Sequence, residues 1–336
     1  MPRKPNPVKI TQLADSTIRR AVTVPAVVMS AATLASSIGV WAPATAAFDL
    51  VNGRTSVPRT RMLSLALAWS SLESVGVGIS AALWATGRSN DDDLHFTFQR
   101  WWADRLLDAL RQTANVTFEV EGVERMAPGP LIICSRHASV IDSLIPVWLL
   151  GQVHMRPRYV LKDDLQLDPC LDIFGNRLPN HFVDRDPTDN GAELAKFEQL
   201  ARGMDARDAC VIFPEGTVVT DERRERAVAA IAARDPERAR RVGELRELGP
   251  VRPGGTVALM RGAPDADLVF VAHSGLEALD HLLDAVHHIP LGQPVRVEIT
   301  RVARRDVPTG DDFYPWFDAE WAKCDRQVVE MRSRRS

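Results

Sequence analysis

No charged residue occurs between Arg20 and Asp49, and Ala21 to Trp41 is almost wholly apolar or small. Such a stretch leaves a chain few choices: it is buried in a core, removed as a leader, or placed in lipid. As a helix rising about 1.5 Å per residue, it is long enough to cross a hydrocarbon core of about 30 Å. A second run, Met62 to Thr86, is likewise apolar and is interrupted only by Glu73. Its Ser71, Ser74, Gly76, Gly78 and Ser80 are small enough to let helices approach closely. A signal peptide would need a basic start, a short apolar middle and small residues at a cut site, for which Ala44-Thr-Ala46 would serve. The apolar run exceeds the usual length of about 7–15 residues, so the expectation is an uncleaved N-terminal pair of membrane helices. Two buried core helices in a soluble protein are the competing reading. Glu73 fits that reading, or fits a membrane helix whose polar side meets a partner. Arg3, Lys4, Lys9, Arg19 and Arg20 precede the first run, against Arg54, Arg59 and Arg61 between the runs. That bias puts the N-terminus and the remainder of the chain on the cytoplasmic face of the membrane.

Beyond Arg88 the pattern changes. Short apolar or alternating runs at 116–120, 131–134, 158–161, 181–183, 209–213, 268–272 and 295–300 read as strands. Helical stretches at 140–150, 190–203 and 222–247 separate several of them, which predicts an α/β fold with a central, mainly parallel sheet flanked by helices. Phe98, Trp101, Trp102, Leu106, Leu107 and Leu110 fall near one face of an amphipathic helix over 96–114. The charged stretch Glu222 to Leu248 reads as a helical insertion with a solvated face. Trp316, Phe317 and Trp321 form an aromatic stripe whose expected place is against the domain rather than in lipid. The chain thus divides into an anchoring hairpin (1–94), an α/β domain (95–305) and a helical tail (306–336). At 336 residues there is room for one sizeable domain and an accessory segment. A net charge of -3 gives no support to a nucleic-acid partner. Cys134, Cys170, Cys210 and Cys324 lie far apart without metal-ligand spacing, and read as reduced, buried thiols.

The chemistry concentrates at Leu131-Ile-Ile-Cys-Ser-Arg-His-Ala-Ser-Val-Ile-Asp-Ser-Leu-Ile145, where a buried strand runs into a helix. His137 sits at the junction and Asp142 five positions on, about 140° round an ideal helix. The two side chains can meet only if His137 precedes the first turn and Asp142 reaches back. The carboxylate would then hold one ring nitrogen and leave the other to take a proton from a hydroxyl.

Three further blocks follow: Lys162-Asp-Asp-Leu165, Phe182-Val-Asp-Arg-Asp186 and Val211-Ile-Phe-Pro-Glu-Gly-Thr217. In this order and spacing the four blocks resemble those of the glycerophospholipid acyltransferases, from about Phe96 to about Thr300. The resemblance implies direct acyl transfer from a thioester, acyl-CoA or an acyl carrier protein, to a lysophospholipid or glycerol phosphate hydroxyl. His137 would be the base and Asp142 its partner. Arg185, with Lys162, Glu215, Gly216 and Thr217, would bind the acceptor and its phosphate, a guanidinium being able to bond two phosphate oxygens. Each block also has a plain reading: a surface arginine paired with Asp184 or Asp186, a solvated strand-end lysine, a turn at Pro214-Glu-Gly216. Two departures stand out. Many members carry arginine directly after the threonine, where this chain has Val218, with Arg223, Arg224 or Arg252 as substitutes; and Arg136 stands where asparagine is frequent. The segment from Phe213 to Glu277 resembles the branch acting on lysophosphatidate or lysocardiolipin.

The expectation is a membrane-anchored enzyme making phosphatidic acid from 1-acylglycerol-3-phosphate, with no cofactor or metal. The rivals are a transacylase or hydrolase using the same pocket, and a non-catalytic lipid-binding membrane protein.

Overall fold

The computed structural model describes residues 15–139, 141–183, 190–279 and 285–334; Arg185 lies outside the described residues. The first half of the chain forms α1 (Ser16–Ser36), α2 (Ile38–Val51), α3 (Pro58–Ala85), α4 (Asp92–Ala114), β1 (Phe118–Glu121), β2 (Leu131–Ser135), α5 (Leu144–Gln152) and β3 (Arg156–Lys162). Then come α6 (Pro169–Phe174), β4 (His181–Val183), α7 (Asn190–Ala201), β5 (Asp208–Ile212), α8 (Asp221–Ala232) and α9 (Pro236–Val242). The chain continues through α10 (Pro253–Gly262), β6 (Asp267–Ser274), β7 (Val295–Val302) and α11 (Phe313–Ser333). They divide into two compact units, Met1–Ala109 with Leu161–Pro187, and Leu110–Val160 with Thr188–Ser336.

In the first unit, α1 and α3 are long and apolar enough to cross a membrane, with 11% and 17% of their apolar windows buried. Core helices would be largely buried, and these two are not. Ile18, Val22, Val28 and Met29 on α1, and Trp69, Val75 and Trp84 on α3, are instead exposed. The first apolar run is not one helix: the chain breaks at Ser37, and α2, itself apolar, carries exposed Val40, Phe48 and Leu50. One stripe of α3 is buried, Ser70, Glu73, Gly76 and Ser80. The Glu73 carboxylate accepts from Trp102 Nε1 (2.9 Å) and from the Cys170 amide (3.0 Å), so the polar side of this helix does meet partners. Gly76 packs against α6, where a Cβ would stand 2.2 Å from Cys170 Sγ. Arg19 and Arg20 both bond the buried Asp172 of α6, at 2.6 and 3.0 Å. Arg59 is likewise paired with Asp49. Three of the cations counted in the charge bias are thus paired with two of this unit's own carboxylates.

The second unit holds the sheet, whose strands there run in the order β1-β7-β6-β2-β5-β3. Central β2 and β5 are buried at every position, as strands covered on both faces must be, and so read as unbroken apolar runs. Strands β3 and β7 alternate, with one face half-exposed. Pairing is parallel throughout except between β6 and β7. The charged stretch after Thr220 is two helices, because Pro236 starts a new one after the break at 233–235. It does not stay solvated to its end, for Leu245, Leu248 and Val251 are buried. Helix α11 lays Phe313, Phe317 and Trp321 into the unit, with Phe317 flanked by Phe313 (5.2 Å) and Phe270 (5.9 Å), so Phe317 and Trp321 of the aromatic stripe are core while Trp316 is half-buried. All four cysteines are free and buried.

Candidate active site

Strand β2 lies between β5 and β6 and runs parallel to both, with Cys134 beside Ile212 and Ser135 beside Val271. The three chains therefore leave the sheet at one edge, the carboxyl end, where open parallel sheets hold their ligands. Residues 136–139, 141–142, 213–219 and 272–277 converge there.

His137 precedes the first turn, a 3-10 turn over Ile141–Ser143 that leads into α5. Its Nδ1 lies 3.0 Å from Asp142 Oδ1. The second carboxylate oxygen accepts the amides of Ala138 and Ser139, the latter at 2.7 Å. Asp142 is fully buried, so these donors replace the water an ionised carboxylate would otherwise need. They also fix its orientation, and thereby the ring's. Phe213 packs on the imidazole at 4.7 Å between centroids. The His137 backbone is held on both sides: its amide donates to Glu215 Oε2 (2.7 Å), and its carbonyl accepts from the Val219 amide (3.1 Å).

Both Glu215 carboxylate oxygens are engaged by backbone amides. Its other oxygen accepts the Gly249 amide at 2.9 Å, and the residue is only 4% exposed. The carboxylate therefore clamps two loops and does not open onto solvent. Burial pushes its pKa up to about 8, against the pull of the two amides and the Arg136 guanidinium. Gly216 is exposed and has φ +74, a left-handed turn that suits glycine, and Thr217 beside it is half-buried. Of the three substitutes for the arginine expected after Thr217, Arg223 bonds the Val218 carbonyl (2.9 Å) and Arg224 pairs with Asp221 (2.7 Å). Arg252 lies over the turn, its Nη1 3.4 Å from where a Gly216 Cβ would stand. Lys162 is half-buried at the end of β3 and falls in the other unit.

Two residues take roles that the sequence did not signal. Arg136 is 4% exposed and donates to the His273 carbonyl (2.6 Å) and Glu277 Oε1 (2.6 Å), joining the end of β2 to the end of β6. Burial works against ionisation of Glu277, but the adjoining guanidinium outweighs it and holds the carboxyl at about 2. His273, fully buried, has Nε2 3.0 Å from the Arg136 carbonyl and 3.8 Å from Asp142 Oδ2. Burial pushes its pKa down, so the ring is neutral and uses Nε2–H as donor. Both residues are local in space and remote in sequence, and no spacing rule connects them.

Residues 117–264 match the family model described as Acyltransferase. This segment belongs to the acyltransferase family. It takes in His137, Asp142, Glu215, Gly216 and Thr217, and also Lys162 and Arg185. Among solved structures, the chain is similar to the 1-acyl-sn-glycerophosphate (LPA) acyltransferase PlsC of Thermotoga maritima. The two are 14% identical, the likeness covering 76% of this chain and 96% of that one at a TM-score of 0.41. No curated protein matches the chain.

Proposed function

We propose that this acyltransferase moves a fatty acyl chain from the thioester of acyl-CoA or an acyl carrier protein to a lysophospholipid hydroxyl, with 1-acylglycerol-3-phosphate as acceptor and phosphatidic acid as product. The observation that carries the mechanism is the 3.0 Å bond between His137 Nδ1 and an Asp142 carboxylate held by two backbone amides. With Nδ1–H donating to Asp142, the hydroxyl proton goes to Nε2 as the oxygen attacks the thioester carbonyl. The C–S bond then breaks and the proton passes to the leaving thiolate. Asp142 stabilises the imidazolium formed in between, as a carboxylate does for the histidine of a serine triad.

The nucleophile in this reading is the acceptor's own hydroxyl. Ser139 Oγ accepts the Asp142 amide (3.3 Å) and Ser135 Oγ is turned to the Arg136 carbonyl (3.4 Å), which supports transfer without an acyl-enzyme. The acceptor phosphate is assigned to Arg185 and Lys162 from their blocks, with Gly216 and Thr217 passing close to the ligand and Arg252 beside them. Anchoring is assigned to α1 and α3, with the catalytic unit on the cytoplasmic face. A full-length protein that leaves the membrane fraction in high salt without detergent would overturn that anchoring.

The test of the reaction is thiol release from acyl-CoA by purified protein in detergent, with and without lysophosphatidate. Release that depends on the acceptor supports the transferase. Release without it marks a hydrolase, and none in either case marks a binding protein.

A further inference from the structure

Helix α11 lies wholly outside the family-matched segment, yet its side chains hold the loop between α9 and α10, which reaches the Glu215 carboxylate beside His137. The Asp325 carboxylate collects three consecutive amides, Arg246 (3.1 Å), Glu247 (2.8 Å) and Leu248 (2.8 Å). Trp321, 1% exposed, donates Nε1–H to the next carbonyl, Gly249 (3.0 Å). Asp318 binds Arg238 through both oxygens (2.8 and 2.9 Å), and Arg238 in turn donates to the Val251 carbonyl (2.9 Å). Arg332 adds an ion pair to Glu247. The segment 246–251 thus has almost no secondary structure of its own and takes most of its shape from one helix; Arg136 Nη2 also approaches it, 3.5 Å from the Glu247 carbonyl and 3.9 Å from the Glu247 carboxylate.

That segment offers a single amide to the site, Gly249 N–H to Glu215 Oε1, and the other oxygen of the same carboxylate holds the His137 amide. A carboxylate bridging two amides at 2.9 and 2.7 Å passes on a displacement of either. We infer that Asp325 and Trp321 are positioning residues for the reaction: through Gly249 and Glu215 they set where the backbone of His137 lies. This rests on His137 being the base, but its structural half is tested without turnover.

The experiment is peptide-level hydrogen exchange on the full-length protein in detergent, comparing wild type with Asp325→Ala. Faster exchange is expected in the peptide over 245–252 and also in the one over 136–139, which Asp325 does not touch, with the strand interiors of β5 and β6 unchanged. In the kinetic arm kcat should fall by about 10- to 100-fold, as for a small misplacement of a reacting group, with both KM values within about twofold of wild type. Trp321→Phe keeps an aromatic ring buried while deleting the Gly249 bond together with one ring of the indole, so it serves where Asp325→Ala does not fold. It should shift the same two peptides in the same direction by less. A faster 245–252 peptide with 136–139 unmoved, acceleration spread evenly over the sheet, or no change at all would each overturn the inference. Altered exchange at 136–139 with kcat untouched would retain the linkage but remove His137 from the mechanism, and with it the positioning role.

Discussion

Above its pKa of about 8, Glu215 is a carboxylate that serves two amides, those of His137 at 2.7 Å and Gly249 at 2.9 Å, and changing it to glutamine there removes one acceptor. The amide side chain keeps one oxygen, so its NH2 must face the other backbone N–H, donor against donor. At 4% exposure no water can enter to relieve the pair. An unsatisfied buried group costs about 1–3 kcal/mol. For a unit of this size that lowers the melting temperature by about 2–12 °C. If the strain falls on His137, the same energy appears in the barrier as a loss of about 5- to 140-fold in kcat, at about 1.4 kcal/mol per decade. The assay is lysophosphatidate-dependent thiol release at saturating acyl-CoA, alongside thermal unfolding of the same detergent preparation. A glutamine variant with wild-type kcat and melting temperature would refute the clamp. A rise confined to the acceptor's KM would return Glu215 to the role its sequence block implied, that of an acceptor ligand.

His137→Ala should lower turnover by at least about 100-fold, the lower end of what a general base contributes, with unfolding little changed; near wild-type activity would remove it from the mechanism. Arg185→Ala should weaken the reaction roughly 10- to 150-fold through the acceptor alone, as loss of a charge-assisted bond of about 1.5–3 kcal/mol predicts, with lysine restoring only part. Arg252→Ala should act in the same direction, and equal loss toward acyl-CoA would mark either arginine as structural. The pKa of Glu277 is depressed in the fold to about 2, so its contribution is present above the ordinary carboxylate range and lost as pH falls through about 2. The melting-temperature gap between wild type and Glu277→Gln should therefore close on acidification from about 4.5 to about 2, and a gap independent of pH would show that Arg136 is not its partner.

The sequence by itself determined whatever depends on neighbours along the chain. Apolar runs at 131–134 and 209–213 read as strands, and they are β2 and β5 at the centre of the sheet. The charge-free run after Arg20 announced apolar helices, and the five-residue spacing of His137 and Asp142 already required the junction geometry that brings them to 3.0 Å. Only the tertiary structure decided what faces what across long separations. Glu73 looked like an anomaly in an apolar helix until Trp102 and the Cys170 amide, remote in sequence, supplied its donors. Glu215 read as a ligand because its block is a ligand block, but register places its two oxygens on Gly249 and His137. Arg136 stood where asparagine was expected, and its reason, Glu277 and the His273 carbonyl, lies over a hundred positions away at the end of β6. Hydrophobic periodicity records which face of an element is buried, whereas a polar contact needs two particular atoms within about 3 Å. That distance is set by strand order and loop path, which no local pattern encodes.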